Sequence, residues 1–200
     1  IMDRLLIVGV GSGLSASLAR LAKREGMQVV LAARDIGKLA ALARETGAEV
    51  HACDAAEPGD VDRLFAALAA DGKGLDWVVF NASARARGPI TDIDPGEVKK
   101  ALLISCYAGF LVGQNAARAM LSRKRGSIFF TGASASVKGF PQSASFAMGK
   151  FGLRRLAQSM ARELAPKNIH VAHFVIDGGI EKLAGDERAA ARGPDGMLHP

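Results

Sequence analysis

Leu5-Leu6-Ile7-Val8-Gly9-Val10-Gly11-Ser12-Gly13-Leu14-Ser15 passes from an apolar run of strand length, through three glycines, into a segment with helical periodicity. A strand, a glycine turn and a helix start in that order leave unpaired backbone N–H groups and the positive end of a helix dipole where a pyrophosphate can sit. Glycine is needed for the turn and for close approach of the ligand. The common Gly-x-Gly-x-x-Gly spacing fails, because Leu14 falls on its third glycine.

Outward from this turn the chain repeats the alternation. Apolar runs at 5–8, 28–32, 49–52, 77–80, 127–131 and 170–176 predict six strands. Between them, 14–24, 37–45, 58–70, 94–123 and 142–164 carry apolar residues at three- and four-residue intervals and predict helices. Continuous apolar strands alternating with helices make an α/β, doubly wound parallel sheet with helices on both faces. No repeat or linker interrupts it. The last twenty residues, rich in Ala, Gly, Asp and Arg, carry no strand signal.

Two hundred residues, 49% of them hydrophobic, suit one domain with a sizeable core. No apolar run reaches the roughly 20 residues of a membrane span, and the first residues lack signal-peptide order, so no membrane contact and a cytoplasmic location are expected. Cys53 and Cys106 lie far apart; neither a disulfide framework nor a metal site is expected. The net charge of +6 is scattered without interleaved aromatics, which argues against nucleic acid. The cluster Arg123-Lys124-Arg125 reads as cations complementing a helix C-terminus.

At the end of the second predicted strand stands Arg34, where an acid would hold the ribose 2′-hydroxyl of NAD. A guanidinium there can grip a 2′-phosphate, which favours NADP(H) over NAD(H). Asp35 follows and can serve as an N-cap instead of a cofactor ligand. Asp54 ends the third strand, and Asn81-Ala82-Ser83 the fourth. The fifth ends in Thr131-Gly132-Ala133-Ser134, with Ser136 close by. Further on, Ser145-Phe146-Ala147-Met148-Gly149-Lys150 puts a phenyl ring and a lysine four residues apart, on one helix face.

In register, these motifs resemble the short-chain dehydrogenase/reductase family over residues 5 to about 180. The resemblance implies a Rossmann-type domain over 1–180, with 181–200 as a flexible substrate loop or C-terminal segment of it. It implies an oxidoreductase acting on a small carbonyl or alcohol substrate. The family's glycine pattern, Thr-Gly-x-x-x-Gly-x-Gly, is met at Gly9 and Gly13, while Val8 replaces the Thr and Ser15 the last Gly. Cofactor contacts are implied for Gly9, Gly11, Ser12, Gly13, Leu14, Arg34, Asp54, Asn81, Ala82, Lys150, Gly178 and Ile180.

By the same register Ser134 matches the serine that polarises the carbonyl, and Lys150 the lysine that binds the ribose. The catalytic tyrosine position holds Phe146. The asparagine position, counted back from Gly109, falls on Cys106, and a thiol cannot replace an amide's hydrogen bonds. Tyr107, the only tyrosine, adjoins Cys106 but points about 100° away from it. After the sixth strand Asp177-Gly178 replaces Pro-Gly. Three readings follow: an NADP(H)-dependent oxidoreductase with altered acid/base residues, an NADP(H)-binding relative without turnover, or, on Ser15, Ser83 and Asp177, a scaffold that has lost the cofactor too. The resemblance also implies a homodimer or homotetramer built on the two long helices.

Overall fold

The computed structural model describes residues 2–181, 188 and 196–200. Six strands, β1 (Arg4–Val8), β2 (Gln28–Ala33), β3 (Glu49–Ala52), β4 (Trp77–Phe80), β5 (Gly126–Thr131) and β6 (Ile169–Phe174), form one sheet. The order is β3-β2-β1-β4-β5-β6 with every pairing parallel. This is the doubly wound Rossmann order, whose reversal between β1 and β4 opens a crevice at the carboxyl ends of the strands.

Helices cover both faces because the strands are apolar on both. Leu5, Ile7, Val29 and Leu31 pack against Ala16, Ala19 and Ala22 of α1 (Leu14–Arg24) and Leu42 of α2 (Ala40–Thr46). From the opposite face Leu6, Val8, Phe80, Ile128 and Phe130 meet α3 (Pro58–Ala69), α5 (Ala108–Leu121) and α6 (Ala144–Leu164) through Leu64, Val112 and Leu153. Alternate residues of β1 therefore serve two different cores, as the period of two requires.

Three sequence expectations change. The helix expected over 94–123 is divided: α4 (Pro95–Leu102) opens on Asp94, whose carboxylate accepts from the Glu97 N–H at 2.8 Å, and a π turn over Leu103–Tyr107 separates it from α5. The helix expected from Gly37 begins as a 3-10 turn, Ile36–Leu39, capped by Asp35, which accepts from the Gly37 N–H at 3.1 Å. In the tail read as lacking strand, Met197–Leu198 (β8) pairs in parallel with Gly179–Ile180 (β7). The expectation of flexibility over 182–187 and 189–195 lies outside the described residues.

Arg123 and Arg125 do more than complement a helix end. Both pair with Asp76, at 3.0 and 3.2 Å.

Candidate active site

The glycine turn is built against the loop after β4. Gly9 has φ +85°, and a Cβ there would lie 2.3 Å from the Ala82 backbone nitrogen, so only glycine fits. Ser15, in place of a further glycine, fastens the turn. Its hydroxyl donates to the Gly9 carbonyl at 3.1 Å and accepts from the Asn81 side-chain amide at 2.6 Å. The Asn81 backbone N–H donates to the Val8 carbonyl at 2.8 Å. Gly13 caps α1 with no side-chain hydrogen bond, and no acid occupies the first turn. That leaves a helix N-terminus facing a cleft of about 1180 Å³ lined by Gly11, Ser12, Gly13 and Leu14. These features fit a dinucleotide pyrophosphate.

Arg34 is exposed at the end of β2 and does not line this cleft, while its neighbour Asp35 is spent as the cap described above. Asp54 folds into its own loop: its carboxylate accepts from the Ala56 N–H at 3.0 Å, and its backbone N–H donates to Asp60 at 2.9 Å. Gly178 and Ile180 line the cleft from the opposite side.

Beyond the glycine turn the cleft brings together Ser134, Phe146 and Lys150. The two serines after β5 separate by role. Ser136 is fully buried, its hydroxyl accepting from the Ala133 N–H at 3.0 Å and meeting His173 Nε2 at 3.3 Å, whereas Ser134 lines the cleft. Lys150 is buried, and its ammonium donates to the Thr131 carbonyl at 2.8 Å. Burial, reinforced by the Arg85 guanidinium, pulls its pKa down to about 8. His173 is also held low, first by burial and then by Lys150 and Arg154.

Cys106 is not in this group. It belongs to a second groove with Tyr107, Phe110 and Leu156, and its sulfur packs where α6 offers Gly152, 2.6 Å from the point a Cβ would occupy. The residue facing inward is Ser105, fully buried, which donates to the Ala84 carbonyl at 3.1 Å and accepts from the Ala84 N–H at 2.9 Å. Both residues belong to the π turn over Leu103–Tyr107.

Phe146 is buried with the Arg85 guanidinium carbon 3.6 Å above its ring centroid and the Lys150 ammonium 5.8 Å from it. The sequence reading missed Arg85, together with Arg87 and Lys138, which also line the cleft. The signal was present as Arg85-Ala86-Arg87 directly after β4, but nothing in the sequence says that both side chains turn into the cleft. Among the described residues no cluster of His, Cys, Asp and Glu suits a metal, and no helix is long and apolar enough to cross a membrane.

A strand-order reversal, a glycine turn at a helix N-terminus, and a serine and a buried lysine thus meet at one cleft. The sequence model described as enoyl-(acyl carrier protein) reductase matches residues 9–194. The chain is 30% identical to (+)-borneol dehydrogenase 1 of Salvia officinalis over 191 residues, 92% of this chain and 72% of that protein. A short-chain dehydrogenase from Rhodopseudomonas palustris superposes with a TM-score of 0.82 at 34% identity, covering 99% of this chain and 97% of that one. A metagenomic short-chain oxidoreductase in complex with NADP gives 0.80 at 28% identity, over 88% and 82%. The protein belongs to the short-chain dehydrogenase/reductase family, whose members bind NAD(P).

Proposed function

We propose that this protein is an NADP(H)-dependent oxidoreductase acting on a small carbonyl or alcohol substrate, with the proton-handling part of its site altered. The observation that carries the reading is the single cleft uniting the open N-terminus of α1, Ser134 and the buried Lys150. Arg34, in place of an acid at the end of β2, supports NADP over NAD.

The nicotinamide would supply the hydride. This chain's residues would orient the partners and manage the proton: Lys150 holds the ribose, and the Ser134 hydroxyl donates to the carbonyl oxygen. With Phe146 unable to donate, Ser134 or a water held by Lys150 takes that role. Positioned general-acid catalysis contributes about 10²- to 10⁴-fold, and orienting two reactants contributes effective molarities of about 10⁵–10⁸ M. Orientation is the larger effect, so loss of the tyrosine leaves a slow enzyme.

Phe146 itself favours a second reading, an NADP(H)-binding sensor or regulatory subunit without turnover. NADPH fluorescence titration paired with turnover of wild type and Phe146→Tyr over a panel of carbonyl compounds separates the two. NADPH binding with slow wild-type turnover is expected. Binding without turnover in the wild type, and activity gained by the variant, would select the second reading.

Exposed Tyr107 and Phe110 beside the groove between α4 and α6 support a homodimer or homotetramer through these helices, which sedimentation equilibrium tests. The unpaired Cys53 and Cys106 support a cytoplasmic setting.

A further inference from the structure

The turn that presents Ser134 to the cleft is fastened by β6 and the chain just after it. Its backbone is held at two points: the Gly132 N–H donates to the Phe174 carbonyl at 2.7 Å and the Ser134 N–H to the Ile176 carbonyl at 3.1 Å. The half-buried side chain of His173 lies against the same turn, in a space that exists because residue 132 is glycine. A Cβ there would collide with the imidazole.

His173 reaches the turn through one hydroxyl. Ser136 is fully buried, its oxygen accepts from the Ala133 N–H at 3.0 Å, and it meets His173 Nε2 at 3.3 Å. A hydrogen bond from the ring to its own backbone raises the pKa of His173, as a bond donated to a carbonyl does. That assigns the ring proton to Nδ1 and leaves Nε2 to accept from the Ser136 hydroxyl. A chain from His173 through Ser136 therefore ends on the Ala133 N–H, next to Ser134. At the other end of the turn the Thr131 carbonyl accepts from the Lys150 ammonium at 2.8 Å.

Protonation would undo this chain. A charged ring donates from Nε2, so the Ser136 hydroxyl proton loses its acceptor in a fully buried place. The new charge would also face Lys150 and Arg154 of α6, which with burial already favour the neutral ring. No charge from β5, α5 or the turn at 165–167 acts on it.

We propose that His173 is a positioning residue for Ser134: in its neutral form it holds, through the Ser136 hydroxyl, the turn that sets the Ser134 hydroxyl and the Thr131 carbonyl at the cleft, and its protonation loosens that turn. The inference rests on the oxidoreductase reading for what Ser134 then does, and adds an acid limb to the pH profile of that reaction.

Amide NMR of the protein without cofactor, together with carbonyl reduction by NADPH, tests this in wild type, His173→Gln and His173→Leu. The glutamine amide can accept the Ser136 proton but does not titrate, and leucine does neither. As pH falls from about 8 to 5, the Ala133 and Ser134 amide signals of the wild type are expected to move with the His173 ring, at a midpoint below the ordinary 6.5. His173→Gln should hold those signals at their neutral-pH positions throughout, and His173→Leu should displace them at every pH. In turnover the wild-type kcat is expected to fall along the same limb, which His173→Gln abolishes, and His173→Leu should lower kcat about tenfold or more. The proposal is overturned if the wild-type amides do not follow the ring, if His173→Gln displaces them, if His173→Leu leaves them in place, or if the limb survives in His173→Gln. Should His173→Leu fail to fold, the wild type and His173→Gln decide. Coupled titration in a wild type that reduces no carbonyl would sink the oxidoreductase reading alone, because the amide spectra need no turnover.

Discussion

Lys150 carries the most information of any single residue, because its burial converts into a pH dependence. Its folded pKa of about 8 lies below the ordinary value of 10.5, so between those values the unfolded chain binds more protons than the folded one. Stability from this group therefore rises as pH increases from about 8 toward 10.5, and the burial penalty is fully present below pH 8. Lys150→Met removes the titration. In urea denaturation the stability of wild type relative to Lys150→Met should rise by about 3 kcal/mol across that window; an unchanged difference would contradict the buried ammonium. Gly9 is constrained for a different reason: Gly9→Ala forces a positive φ on alanine and a clash with Ala82. It should cost at least about 2 kcal/mol, read from the urea midpoint. Lys150 was legible in the sequence by its four-residue spacing from Phe146 and its apolar helix face. Its depressed pKa was not, because that depends first on burial within the fold and then on Arg85, distant in the chain.

Among the elements, the π turn between α4 and α5 gives neighbouring side chains different surroundings: Ser105 is fully buried on the Ala84 backbone, and Cys106 lies against Gly152 in the second groove. Ser105→Ala strands the Ala84 N–H and carbonyl and should cost about 2 kcal/mol in chemical denaturation, with Cys106→Ala costing less than about 1 kcal/mol. The reverse order would contradict the anchoring of Ala84 by Ser105. Apolar periodicity alone could not reveal the turn, since α4, the π turn and α5 share one apolar pattern and no Pro or Gly marks the wider spacing. Short strands such as β3 and β4 were legible because both are bounded by a clear change in pattern. Asp35 was legible as a cap because its effect is local.

At the scale of the whole molecule the sheet has a second buried charge, far from the cleft. Arg4 is 1% exposed yet lies at the start of β1, where its guanidinium donates to the Leu68 carbonyl at 3.1 Å and pairs with Glu49 at 2.8 Å and Asp71 at 3.1 Å. Those carboxylates come from β3 and the loop after α3, so the cluster ties three parts of the chain together. Both acids have lowered pKa values. For Glu49 the hydrogen bonds of His51 and Arg4 outweigh a burial effect that raises it, and for Asp71 the largest cause is the Lys73 N–H. Depressed carboxylate pKa values contribute stability that is present above the ordinary carboxylate range and is lost as pH falls through the folded values. Arg4→Met removes the buried charge and leaves partners that water can reach. Glu49→Gln/Asp71→Asn leaves the guanidinium buried and uncompensated. The double variant should therefore be the less stable of the two, as read from urea melts.

The sequence by itself determined the α/β alternation, the parallel doubly wound sheet and the place of the glycine turn, because periodicity and glycine spacing are properties of neighbouring residues. Family membership was legible from the same motifs taken in register. Only the tertiary structure decided that Ser105 and not Cys106 faces inward, that Ser134 and not Ser136 meets the cleft, that Arg85 covers Phe146, and that Arg4 is buried among carboxylates. Each depends on residues far apart in the chain being brought within hydrogen-bonding or packing distance, and on a helix whose spacing is set by what it packs against.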